Sequence, residues 1–200
     1  MSSSRLAGHP IESLFLDRWS PRSFLPESMP QSDLETVLEA ARWAPSAFNI
    51  QPWHFLYAHR DSAHWQPFVS LLDEFNRLWA ADASVLVLLL SDSVMPGEGG
   101  RPDRISTLNS FDAGAAWVQL ALQATALGYH AHAMAGIDRD RVRRILAVPD
   151  RFKVEIAIAL GRRGPVERLA EPLRAREAAS GRRPLAEIAT PGMFPSERVA

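Results

Sequence analysis

The chain has 200 residues, 46% of them hydrophobic, which is enough for one core and crowded for two. Its 22 basic and 23 acidic residues leave a formal charge of −1, a balance that gives no sign of a nucleic acid or other polyanion as partner. Cysteine is absent, which excludes disulfides, thiolate metal sites and a cysteine nucleophile.

Residues 1–8 lack the apolar run of a secretory signal. Further on, Ser32-Asp33-Leu34-Glu35 has capping-box spacing, in which the hydroxyl takes a backbone N–H and Glu35 reaches back. Leu34, Val37, Leu38 and Ala41 then fall on one helical face, and Pro45 ends that helix. Trp53 to Ala58 reads as a strand and His64 to Ala80 as a helix. Val85 to Leu90 is continuously apolar, as in a strand covered on both faces. It is far short of the roughly 20 residues that cross a bilayer, so a soluble, cytoplasmic protein without membrane contact is expected.

Val94 to Leu108 holds three glycines and two prolines and reads as a loop. Ser110 to Leu127 is the longest helix candidate, with Asp112 in its first turn and Gly128 past its end. Asp138 can cap a short helix through Leu146, and Lys153 to Leu160 reads as a strand. From Gly161 the chain turns Arg- and Pro-rich, and an extended tail is expected. Long crossovers and an excess of helix point to α+β or α/β with one central sheet.

Four segments carry polar chemistry. Arg18-Trp19-Ser20-Pro21-Arg22 puts two guanidiniums and a hydroxyl within five residues, a set that can fork onto phosphate oxygens. Alone it reads more readily as a solvated basic turn, because Lys153 is the only lysine and the chain uses arginine throughout. Pro45-Ser46-Ala47-Phe48-Asn49-Ile50-Gln51-Pro52 is a turn between two prolines, either a rigid connector or a rack of short polar groups. Ala131 to Asp138 contains Ala133-Met134-Ala135-Gly136, small enough for a flat ligand to lie close to the backbone, or simply a tight turn. Arg182-Arg183-Pro184-Leu185 is a basic patch in the tail. His130 and His132 would share a face of an extended segment, but no further ligand set accompanies them and a metal is not expected. Gly97-Glu98-Gly99-Gly100 lacks dinucleotide-loop spacing.

In order along the chain, Arg-x-Ser-x-Arg-x-Phe at 18–24, Ala-Pro-Ser-x-x-Asn-x-Gln-Pro-Trp at 44–53, the Asp112-Ala-Gly-Ala-Ala helix, the Gly136-Ile-Asp turn and Arg182-Arg183-Pro184-Leu185 resemble the nitroreductase family. The resemblance runs from about Pro10 to Glu187. It implies one domain over residues 1–200, a central, mostly antiparallel sheet flanked by helices, and a C-terminal extension after residue 161. It implies FMN at a homodimer interface, NAD(P)H as co-substrate and a nitro, quinone or activated alkene or carbonyl acceptor, used in ping-pong order. No side chain would carry the hydride, since that chemistry belongs to the flavin.

By match to the motifs, Arg18, Trp19, Ser20 and Arg22 would hold FMN from one subunit. Arg18 and Ser20 would take the phosphate, with Arg22 towards the ribityl chain and pyrimidine edge. Pro45, Ser46, Ala47, Asn49 and Gln51 would come from the other subunit. Asn76 would bond the pyrimidine rim. Ala133, Met134, Ala135 and Gly136 would lie against the ring, and Arg182 or Arg183 would close on the phosphate. Trp79 stands where some members carry a basic residue. A second reading keeps the flavin site without turnover, as a flavin store or interaction partner.

Overall fold

The computed structural model describes residues 5–97 and 99–194, so Glu98 and both chain ends lie outside the described residues. In chain order the elements are α1 (Ser13–Asp17), α2 (Gln31–Arg42), β1 (Trp53–His59), α3 (Trp65–Ser70), α4 (Glu74–Ala80), β2 (Val85–Asp92), β3 (Val94–Met95), β4 (Arg104–Ile105), α5 (Asn109–Ala126), β5 (His130–Met134), α6 (Arg139–Ile145), β6 (Phe152–Gly161) and α7 (Glu171–Arg174). Four strands form one sheet in the order β1-β2-β6-β5, every pair antiparallel. The class is therefore α+β, as expected.

The apolar run in β2 explains the layering. Side chains alternate across a strand, so Val85, Val87 and Leu89 join Leu34 and Val37 of α2 and Ala116 and Leu120 of α5 on one face. Leu86, Leu88 and Leu90 join Trp65, Phe68, Trp79 and Val142 on the other. All six β2 residues are at most 2% exposed; each such side chain contributes about 1.5–3 kcal/mol by leaving water. Among the described residues no helix is long and apolar enough to cross a membrane.

Several elements depart from expectation. Helix α2 starts one residue before Ser32, and its N-cap is Pro30, without a side-chain cap. The Pro30 carbonyl accepts from the Asp33 and Leu34 N–H groups, while Glu35 bonds Gln31 instead of reaching back. The helix expected over 64–80 is two, α3 and α4, because Leu72 leaves the helical path to bridge Ile137. Asp73 then caps α4 through the Asn76 N–H at 2.7 Å. The expected loop after β2 contains a short hairpin, with Val94 facing Ile105 and Met95 facing Arg104. Residues 130–134 form an edge strand, not a helix-to-helix turn. The tail is not extended throughout, since α7 docks Leu173, and Leu169 before it, into the core. The Asp138 cap of α6 is present, accepting from Arg141 N–H at 3.0 Å.

Candidate active site

Among the described residues strand β5 pairs with β6 alone and so presents a free edge. Its register places Met134 with Trp79 in one core cluster, and Ala131 and Ala133 against α5 in the other. His130 and His132, four and two residues before Met134, share the Trp79 side. The turn after α1 runs past this edge. His132 Nδ1 donates to the Pro21 carbonyl at 2.8 Å, Trp19 meets His130 edge-on at 6.2 Å, and the His132 ring lies 4.6 Å from that of Trp79. Burial, and then the nearby arginines, hold His130 at about 4. Burial also holds His132 at about 4, against the pull of the Pro21 hydrogen bond. Both rings are therefore neutral at pH 7.

A cavity of about 390 Å³ opens on the His132 side. Its first wall is Arg18, Trp19, Ser20 and Arg22; its second is the tail segment bearing Arg176, Ala178, Ser180 and Arg182. Four guanidiniums thus face one space. Burial, followed by Arg182 and Arg5, lowers the Arg18 pKa. Burial, followed by Arg176, lowers that of Arg22, with Glu177 opposing. Such a cluster stores repulsion that an anion relieves. Arg18 also donates to the Ser20 hydroxyl at 3.3 Å, which ties two of the expected phosphate donors together. Arg182 is steadied by the Ser180 and Gly181 carbonyls. Arg183 does not line the cavity, so of the two tail arginines it is Arg182 that faces Arg18.

A second cavity, of about 330 Å³, lies on the α5 side and is mainly apolar. Phe15, Trp117, Val118, Ala121, Leu122 and Ala133 line it, and Arg18 and Ser20 belong to both cavities. A ligand with an anionic end and a flat apolar end matches this pair. Asn76, Met134, Ala135 and Gly136 line neither cavity; Asn76 donates to the Gly136 carbonyl at 3.2 Å, which also accepts from the Asp73 N–H at 3.0 Å. A Cβ on Gly136 would come within 1.8 Å of the Asp73 carboxylate and 2.6 Å of the Asn76 amide. Any larger residue here would have to displace the Asp73 or Asn76 side chain. Ala135 beside it is exposed, and Met134 is buried in the core.

The turn from Pro45 to Gln51 is elsewhere, at the other end of β1. None of its residues lines the cavity around Arg18, and Gln51 lines a separate pocket with His54, Asp92 and Arg151. Phe48, Asn49 and Gln51 all have φ near +55°, a conformation that costs non-glycine residues of order 1 kcal/mol or more each. The turn is held by the buried Asp112 carboxylate, which accepts from Ala47 N–H at 3.1 Å, and by Ser46 Oγ, which accepts from Gln51 N–H at 2.9 Å. Phe48 at its tip is 86% exposed.

Sequence reasoning missed Arg176, Ser180 and the apolar wall on α5. Arg176 stands in an arginine-rich tail with no periodicity, so no signal separated it from its neighbours. Trp117, Val118 and Ala121 repeat at helical spacing from Asp112 and read equally as core.

A family model described as Nitroreductase family matches residues 16–74 and 61–162. A crystal structure described as an oxidoreductase containing FMN superposes with a TM-score of 0.94 at 49% identity, covering 98% of each chain. A protein named NADH dehydrogenase from Thermus thermophilus is 30% identical over 171 residues, 73% of this chain and 83% of the relative. A protein named CLA biosynthesis enone reductase from Lactiplantibacillus plantarum is 25% identical over 190 residues, 78% of this chain and 87% of the relative.

Proposed function

Because the chain belongs to the nitroreductase family, we propose that it is a single-domain, FMN-dependent oxidoreductase that oxidises NAD(P)H and reduces a small acceptor. The observation that carries this is the pair of cavities joined at Arg18 and Ser20, one basic and one apolar. The donor set fits FMN. A phosphate monoester carries between one and two negative charges at pH 7 and takes several donors; Arg18, Ser20 and Arg182 would supply them. Arg22 Nε is buried without a partner, a donor whose desolvation a ligand oxygen would offset. Bound FMN supplies reversible two-electron chemistry that no side chain here can perform.

The rest of the work falls to the chain. Arg18 and Ser20 orient the phosphate end. Ala133, Ala135 and Gly136 would offer a floor without bulky side chains, Met134 turning into the core, and the Asn76 amide beside Gly136 would meet the polar rim. Arg22 places positive charge where electron density accumulates on reduction. Neutral His130 and His132 add no further charge and no acid. The turn at Pro45, Ser46, Ala47, Asn49 and Gln51 completes the site of a second copy. The exposure of Phe48, Phe111 at 78% and Trp43 at 71% supports a partner surface, because side chains this apolar are buried in stable assemblies. With one face of the ring against β5, nicotinamide and acceptor use the other in turn, so initial-rate lines should be parallel. The relatives' names favour NADH among donors and an enone-type acceptor, and the cytoplasm supplies both nicotinamides. Denaturing the purified protein and separating the released flavin, with light scattering on the native sample, tests the reading. FMN and a dimer are expected; FAD, no flavin after reconstitution, or a monomer with bound flavin would refute it.

A further inference from the structure

The two walls of the basic cavity are more than 150 residues apart in sequence, and one side chain clasps them. The Glu177 carboxylate accepts from the Arg22 N–H, at 2.9 Å to each oxygen, and from the Ser23 N–H at 2.9 Å. Glu177 follows Arg176 directly and precedes Ala178, Ser180 and Arg182, so the clasp sits in the tail wall. On the other side it grips the backbone of Arg22, two residues from Ser20. Past residue 180 the described tail is exposed throughout, and Arg182 bonds only its own turn in the contacts above. Beyond the docking of Leu173 in α7, Glu177 is thus the contact that joins the tail wall of Arg176 and Arg182 to the segment of Arg18 and Arg22.

We propose that Glu177 is a positioning residue for the phosphate end of the cofactor site. It acts by fixing the distance between the two arginine walls, not by touching the ligand. The inference rests on the FMN reading above and adds a residue with the wrong charge for a phosphate site. That charge makes it testable. If Glu177 mattered only through its field, it would oppose an anion, and removing it would tighten binding. If it acts as a clasp, removing its oxygens frees the tail wall, and the arginines no longer converge. The negative charge of the carboxylate also opposes the repulsion of Arg22 by Arg176.

The test uses full-length apoprotein and measures FMN and riboflavin affinity by flavin fluorescence quenching for wild type, Glu177→Ala and Glu177→Gln. Riboflavin lacks the phosphate, so it isolates the rest of the site. Glu177→Ala should weaken FMN by about tenfold or more, the effect of losing one charged hydrogen-bond set, and leave riboflavin within about twofold. Glu177→Gln keeps a carbonyl acceptor for the two N–H groups and removes the charge, so FMN should bind at least as tightly as to wild type. Wild-type FMN affinity in Glu177→Ala would overturn the proposal. So would equal loss in Glu177→Gln and Glu177→Ala, or equal loss of FMN and riboflavin. Failure of wild type itself to bind FMN would instead sink the cofactor reading. Should Glu177→Ala fail to fold, the FMN-to-riboflavin ratio of Glu177→Gln decides: a wild-type or higher ratio supports the clasp and a lower one overturns it.

Discussion

Replacing Gly136 with alanine should loosen the floor of the site from underneath. The added Cβ would fall 1.8 Å from one Asp73 carboxylate oxygen and 2.6 Å from the Asn76 amide nitrogen. Both are side-chain ends, so the chain can yield, but each displaced group loses a partner. Asp73 caps α4 at 2.7 Å, and losing such a cap costs about 0.5–2 kcal/mol. The Asn76 bond to the Gly136 carbonyl is worth about 0.5–1.5 kcal/mol, and Asn76 is buried. The two together amount to about 1–3.5 kcal/mol. For a chain of this size 1 kcal/mol lowers Tm by about 2–4 °C, so Gly136→Ala should melt about 2–14 °C lower. Differential scanning calorimetry on apoprotein is the assay, because bound flavin would add its own stabilisation. Adding Asp73→Ala to Gly136→Ala should cost much less than Asp73→Ala alone, since the cap is already displaced. A Tm within about 1 °C of wild type, or full additivity in the double variant, would refute the crowding described here.

Arg18→Ala should weaken FMN binding by about 1.5–3 kcal/mol, the worth of a charged hydrogen bond, read as a rise in Kd by fluorescence quenching; an unchanged Kd would remove Arg18 from the site. His130 and His132 are held at about 4 when folded against about 6.5 unfolded. The unfolded chain therefore binds more protons between these values. Their contribution to apoprotein stability is complete above pH 6.5 and is lost as pH falls towards 4. Urea titrations across that window should show a shallower loss in His132→Asn, which keeps a donor for the Pro21 carbonyl; identical slopes would contradict the burial of His132 as a neutral ring. Phe48→Asp, at an 86% exposed apolar tip, should shift sedimentation towards monomer and reduce flavin content together, and a stable dimer of normal flavin content would argue against the turn as a partner contact.

What was legible in the sequence followed from local rules. The unbroken apolar run of β2 announced a strand with two cores, and Asp138 announced the start of α6. The basic turn at 18–22 was legible from its own residues only as a donor set; the resemblance added Arg182 or Arg183 from the tail, but nothing pointed to the rest of that wall. Arg176 and Glu177 meet it only through tertiary docking, and nothing in their spacing says so. The single helix expected over 64–80 failed for the same kind of reason. Leu71 and Leu72 suit a helix, but the bridge from Leu72 to Ile137 and the cap by Asp73 win, and that break is what aims Asn76 at Gly136. Asp112 was legible as a helix N-terminal acid; its second task, holding the strained turn through Ala47, needed the fold.

The most direct test of the central claim is an anaerobic titration of the purified yellow protein with NADH and with NADPH, followed by a nitro, quinone or enone acceptor. The account predicts that at least one nicotinamide bleaches the flavin stoichiometrically and that the acceptor restores the colour after the nicotinamide is spent. A protein that holds FMN but that neither nicotinamide bleaches would contradict it, and would make the chain a flavin carrier in place of an oxidoreductase.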